Sequence, residues 1–152
     1  MEYLHAKTTD GREIIIEREP INSGGEKVVF FTADHQEVVG FFFGKLDDPH
    51  ERRSRLHKII GEYNPTTSGA QADFWKRHFC WPSAIVDGDK RIPSDFIRRH
   101  NLCTPVLGVV CPSYRPNFFF RDKTGNVREK IGRWFTGQKA RKLLPDSERG
   151  DL

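Results

Sequence analysis

The sequence predicts an α+β fold: an antiparallel sheet of about five strands, one helix packed against it, and a helical tail at the C-terminus. Three observations lead there. Short β-branched and aromatic runs recur in the first third of the chain, separated by polar turns. A strongly capped helix follows them. Two more apolar runs come next, before the composition turns basic.

The first run is Glu13-Ile14-Ile15-Ile16-Glu17, opened by the turn signal Asp10-Gly11. Pro20 to Gly25 interrupts, and Val28-Val29-Phe30-Phe31 resumes. After the polar turn Ala33-Asp34-His35-Gln36 comes Val38 to Phe43, apolar at nearly every position. Three strands joined by short polar links read as an antiparallel meander. A strand apolar on both faces is expected to be covered on both.

The helix signal is local and specific. Asp48 is the expected N-cap, Pro49 the first helical residue and Glu51 the capping-box partner. Leu56, Ile59 and Ile60 carry the apolar stripe, Glu51 and Glu62 fall to one side of it, and Gly61 ends the helix. Ser68 and Gln71 form a second capping-box pattern, with Ala72, Trp75 and Phe79 at helical spacing. Trp81-Pro82 marks a corner before the short strand Ala84-Ile85-Val86, which Asp87-Gly88-Asp89 closes. Lys90 to Pro105 reads as a polar excursion with one helical turn, and Val106 to Val110 as a buried strand stopped by Pro112.

The expected division is a sheet domain over residues 1–120 and a basic helical tail over residues 121–152. Val127, Ile131, Trp134 and Phe135 fall on one helical face, and Lys139 to Leu144 read as a further short helix ended by Pro145. Arg121, Lys123, Arg128, Lys130, Arg133, Lys139, Arg141 and Lys142 outnumber Asp122 and Glu129. With aromatics nearby, such a stretch could contact nucleic acid. A docked amphipathic helix with a solvated basic face is the stronger reading.

Composition narrows the function classes. The 152 residues are 36% apolar and 30% charged, with twelve phenylalanines and three tryptophans to fill a core. A formal charge of +4 permits an anionic ligand without requiring nucleic acid. No apolar run reaches the length of a signal peptide or a membrane span. Cys80, Cys103 and Cys111 are an odd count without CxxC spacing, so free thiols and a cytoplasmic location are expected. The six histidines make no HxxxH or HExxH pair, no GxSxG elbow is present, and no metal site is expected.

Gly24-Gly25 lies between two strands, with Lys27 close behind. Glycines expose backbone N–H groups and a lysine adds a point charge, which are the ingredients of a phosphate cover. The GxGxxG and P-loop spacings are absent, so on its own a hairpin loop is the stronger reading.

Together these pieces resemble the N-terminal lobe of protein kinases: strand, Gly-Gly loop, strand, apolar strand, capped helix, two strands and a proline-containing exit. More specifically, Gly24-Gly25-Glu26-Lys27, Val38-Val39-Gly40-Phe41, Gly61-Glu62-Tyr63-Asn64-Pro65, Phe79-Cys80-Trp81-Pro82 and Tyr114-Arg115-Pro116-Asn117-Phe118-Phe119-Phe120 resemble a divergent bacterial serine/threonine kinase family. Members of that family accompany tellurite-resistance and chemical-stress operons, with a von Willebrand-type A protein and a metal-dependent protein phosphatase. The similarity runs from about Gly24 to Leu152, and its Trp-Pro and Tyr-Arg-x-Asn-Phe-Phe-Phe blocks are the most specific.

The resemblance implies that Gly24, Gly25 and Lys27 cover the phosphates of a nucleotide. It implies that Val39 packs on adenine and that the backbone of Cys111 and Ser113 forms the hinge; Pro112 has no N–H to offer. Kinases hold the phosphates with a third-strand lysine. Here Phe41 follows Val38-Val39-Gly40, and Lys45 lies beyond the strand's end, so Lys27 and Lys45 are both candidates. ATP and magnesium are expected for the complete kinase, with weak binding or none by this chain. No HRD-like or DFG-like motif is present, so no catalytic residue is expected here, and Arg149 to Leu152 would lead toward a catalytic loop. The expected partners are the C-terminal kinase lobe, the von Willebrand-type A protein and the phosphatase, with no membrane. An uncovered patch at Val39, Phe41, Phe43 and near Val110 would drive self-association, unless N-terminal or tail segments fold over that face. Two rivals stand beside this reading: a stand-alone protein-interaction module of the same fold, and a nucleic-acid-binding domain using the basic tail.

Overall fold

The computed structural model describes residues 2–130 and 142–148 of the chain. The chain divides into two compact units, Met1–Ser113 and Tyr114–Leu152.

The first unit begins with an antiparallel hairpin of β1 (Tyr3–Lys7) and β2 (Glu13–Glu17). Its alternation sets its faces: Leu4, Ala6, Ile14 and Ile16 are buried, while Tyr3 and Ile15 are exposed. Gly11 closes the turn at φ 92°, a left-handed conformation that glycine adopts without penalty. A five-stranded antiparallel sheet follows, in the order β3-β4-β5-β7-β6. Its strands are β3 (Asn22–Ser23), β4 (Lys27–Phe31), β5 (Glu37–Phe42), β6 (Ala84–Asp87) and β7 (Leu107–Pro112). The expected meander is therefore corrected at its first strand. Glu13–Glu17 pairs with the N-terminal strand, and an isolated bridge from Ile16 to Thr32 and a 2.6 Å contact of Glu17 Oε1 with His35 Nε2 link it to the region after β4.

One face of the sheet is sealed. Val28, Phe30, Val39, Phe41, Ala84, Val86 and Val110 pack with the buried side of the β1–β2 hairpin. Ile92, Phe96, Leu102 and Val106, from the segment between β6 and β7, complete this layer. That segment carries α3 (Ser94–Arg99). Phe30, Phe41 and Phe96 meet edge to face or tilted, with centroids 5.1–6.2 Å apart. The expected apolar patch at Val39, Phe41 and Val110 is thus not exposed; all three are fully buried and Phe43 is partly so. The N-terminal hairpin is the segment that folds over this face.

The other face carries α1 (Pro49–Ile60). Asp48 accepts the Glu51 N–H at 3.0 Å as N-cap, and the Gly61 N–H closes the helix on the His57 carbonyl. Leu56 and Ile60 pack against Phe42, Ile85, Leu107 and Val109. Arg53 fixes the helix to the sheet, its Nε donating to both Asp87 oxygens at 2.9 and 3.0 Å and its Nη2 to the Pro105 carbonyl at 3.1 Å. The Trp81 indole N–H donates to the Ile59 carbonyl at 2.9 Å. In α2 (Ala72–His78) the cap is Gln71, without a side-chain bond, so the expected Ser68–Gln71 capping box does not form. Phe79 is already extended rather than helical.

The second unit has a short 3-10 turn at Pro116–Phe118 and a hairpin of β8 (Phe119–Arg121) and β9 (Val127–Glu129). Asp122 organises the connecting turn, accepting from Thr124 N and Oγ1, Asn126 N and Arg128 Nε. The Thr124 hydroxyl, followed by the Arg128 guanidinium, holds its carboxyl down at about 2. Val127 therefore lies in a strand, not on the expected helix face, and Lys142 to Leu144 form a turn. Ile131, Trp134, Phe135 and residues 139–141 lie outside the described residues. Among the described residues no helix is long and apolar enough to cross a membrane.

Candidate functional site

The helix face of the sheet is where the chain's candidate ligand residues gather. Lys27 opens β4 opposite Phe42, and its Nζ lies 5.2 Å from the centre of the Phe42 ring. Strand alternation puts Val29, Phe31, Val38, Gly40 and Cys111 on this same face, through the pairs Val29–Gly40, Phe31–Val38 and Val38–Cys111. Val29, Phe31, Val38 and Cys111 are half-buried, unlike the residues of the sealed face. Burial pushes the Cys111 thiol up to about 11, so at neutral pH it is a protonated apolar group rather than a nucleophile.

Gly24 and Gly25 form the exposed tip between β3 and β4. The Gly24 N–H donates to the Lys27 carbonyl at 2.8 Å. Among the described residues no acceptor takes the Gly25 or Glu26 N–H. A Cβ at Gly25 would meet nothing within 4 Å, and neither glycine has a left-handed φ. The fold itself therefore does not demand glycine at this tip.

Lys45 is exposed, past the end of β5 in the link to α1, and among the described residues it is not one of the cations over the Phe42 ring. Val39 points the other way. It is fully buried in the sealed layer with Phe41 and Val110, so the expected packing of Val39 on adenine is not available. Gly40, next to Val39, is on the helix face, and the Lys27 stem runs beside it: a Cβ there would lie 3.3 Å from Lys27 Cδ.

The expected hinge also departs from expectation. The Ser113 N–H donates to the Gln36 carbonyl at 2.9 Å. In an antiparallel ladder hydrogen-bonded pairs recur at every second residue, so the Val38–Cys111 pair is of the same type and uses the Cys111 N–H. Both expected donors are committed to β5, and Pro112 has none.

Two residues that sequence reasoning passed over complete the site. Arg52 of α1 lies with its guanidinium carbon 5.0 Å from the Phe42 ring centre. It also holds Glu26 with two bonds, Nη1 to Oε2 at 3.1 Å and Nη2 to Oε1 at 3.4 Å. The signal for Arg52 was present: residues 52, 56, 59 and 60 follow helical spacing, so this arginine shares the apolar stripe. A shallow groove beside it is lined by Phe42, Asp47, Asp48, Glu51, Arg52, Arg55, Leu56 and Ile59. Among the described residues no cluster of three His, Cys, Asp or Glu side chains could hold a metal ion.

Three cations among the described residues of the second unit are engaged. Arg128 pairs with Asp122, Lys123 with Asp146 at 3.5 Å, and Arg121 donates to the Gly125 carbonyl. No protein-family model matches the chain, and neither the curated proteins nor the solved structures give a match.

Proposed function

We propose that this chain is the nucleotide-covering N-terminal lobe of a serine/threonine protein kinase, working in a bacterial stress phosphorylation system of the tellurite-resistance type and inactive alone. The observation that carries the reading is the arrangement of the first unit. The Gly24-Gly25 tip joins two neighbouring strands, the helix α1 enters between β5 and β6, and that helix packs on the sheet face bearing Lys27. The same face offers an apolar strip to a flat base and a cation to its phosphates. Of the two lysine candidates, Lys27 is favoured because its Nζ lies over the Phe42 ring of this face. In this reading the partners are a C-terminal kinase lobe, a von Willebrand-type A protein and a protein phosphatase.

The committed hinge donors shape what such a site does. Without the N–H groups of Cys111 and Ser113, a base is held by apolar contact more than by hydrogen bonds. One lobe also buries far less ligand than the 70–90% typical of a complete pocket. Affinity for ATP with magnesium is then in the millimolar range, about −4 kcal/mol. Calorimetry with ATP and magnesium tests this. Saturable millimolar binding supports the lobe; no heat and no thermal shift at saturating ATP supports the rival, a protein-interaction module of the same fold, which the committed hinge donors favour. The chain alone is expected to transfer no phosphate, because no base or magnesium ligand for the step is recognisable in it. Label above blank on a generic protein substrate would contradict that.

A further inference from the structure

The Phe42 ring gathers two cations, and among the described residues only one of them has a counter-ion. Arg52 is paired with Glu26 through Nη1 and Nη2. Lys27 lies over the same ring, and among the described residues no carboxylate forms a salt bridge with it. Two positive charges within about 10 Å of each other repel, and the ring's negative face offsets that only in part. Glu26 comes from the glycine tip itself, directly before Lys27. It is 64% exposed, whereas Arg52 is 30% exposed. A carboxylate brought to a half-buried arginine by a loop of small residues occupies the place that a phosphate oxygen takes in fork-shaped arginine recognition.

We propose that Glu26 is an internal anion latched on Arg52, and that an oligophosphate group displaces it and sits between Lys27 and Arg52 at the Gly24-Gly25 tip. For its ligand class the inference rests on the nucleotide-covering reading above. An exposed ion pair contributes little to stability, so the latch opens readily. The Gly25 and Glu26 N–H groups, which no acceptor takes among the described residues, are available to the incoming oxygens, and the room above Gly25 lets them approach. Asp48 and Glu51 do not fill this role. Asp48 is committed to the Glu51 N–H and Glu51 to Arg55, which leaves Asp47 on the groove side. The lobe thus has a threshold for phosphate set by its own sequence: binding exchanges one anion for another at Arg52.

The test titrates inorganic triphosphate, without a base, into the 152-residue chain and its variants by calorimetry. Glu26→Gln is expected to tighten binding about three- to fivefold, the value of one exposed ion pair. Arg52→Gln and Lys27→Gln are each expected to weaken it by about tenfold or more. Glu62→Gln adds the same unit of charge away from Arg52 and is expected to change affinity by less than about twofold. Arg52→Gln binding as tightly as the parent, or Glu26→Gln and Glu62→Gln behaving alike, would overturn the latch. Circular dichroism confirms that each variant is folded. Should ATP bind no better than triphosphate, the nucleotide reading fails while the latch stands. Should triphosphate leave every variant unmoved, the latch fails whatever ATP does.

Discussion

The two faces of the five-stranded sheet are made from neighbouring residues of the same strands, yet they meet different fates. On the hairpin face Val39, Phe41 and Val110 are fully buried beneath β1 and β2. On the helix face Val38 and Cys111 are half-buried, as is Lys27, which shares the Phe42 ring with Arg52. The first face is closed by a hairpin whose inward residues are all small or aliphatic; the second is shared with a helix whose apolar stripe contains an arginine. Sealing one face fixes the strands, and that leaves the other free to carry charge and a glycine tip without endangering the core. The helix face has its own buried cluster of Phe42, Ile85, Leu107 and Val109, and the candidate ligand residues lie around its half-buried strip.

Mutations can break or sharpen this contrast. The largest expected effect is on the hairpin face. Phe30 touches the rings of Phe41, Phe96 and His100, so Phe30→Ala should cost about 3–5 kcal/mol in urea unfolding. Its sequence neighbour Val29, on the helix face, should cost less than about 1.5 kcal/mol when cut to Ala. Equal losses would mean that both faces are core.

A pair of glycines refines the test. A Cβ at Gly108 would stand 2.7 Å from a ring carbon of the buried Phe41, which has nowhere to go. Gly108→Ala should cost about 1–3 kcal/mol. At Gly40 the close neighbour is the flexible Lys27 stem, so Gly40→Ala should stay within about 0.5 kcal/mol and act on ligand affinity instead.

A smaller, pH-dependent effect belongs to His100. Its Nε2 is buried and makes no hydrogen bond among the described residues, against the rings of Phe30 and Phe96. Burial first, then the charge of Arg99, lowers its pKa. The unfolded chain therefore takes this proton more readily than the folded one. Stability from this source is full above the unfolded histidine value of about 6.5 and is lost as the pH falls below it. Thermal midpoints of the parent should drop between neutral and mildly acidic pH more than those of His100→Gln. Parallel pH profiles would remove His100 from the account.

How much of this was legible in the sequence follows from how local each signal is. The α1 cap was readable because Asp48 and Pro49 act within one turn, although the Glu51 carboxylate turns to Arg55 rather than completing the expected capping box. Strands β4 to β7 were readable from dense apolar runs. Strand β1 was not, because only Leu4 and Ala6 face inward in Tyr3–Lys7. Val38 to Phe43 is apolar on both sides, so the sequence carries no parity signal, and Val39 was assigned to the wrong face. The commitment of the Cys111 and Ser113 N–H groups depends on the β5–β7 register, a long-range fact that neither strand states alone. Arg52 was legible in principle, as an arginine inside an apolar stripe, and its partner Glu26 became visible only once the tip and the helix were brought together.

The claim that ligand binding belongs to the helix face is tested most directly by backbone amide chemical shifts during titration with ATP and magnesium, up to about 10 mM. The account predicts saturable shifts at Gly24, Gly25, Lys27, Gly40 and Arg52, with Leu4, Ile16 and Phe96 unmoved. Shifts confined to the β1–β2 hairpin and α3, or none at any concentration, would contradict it.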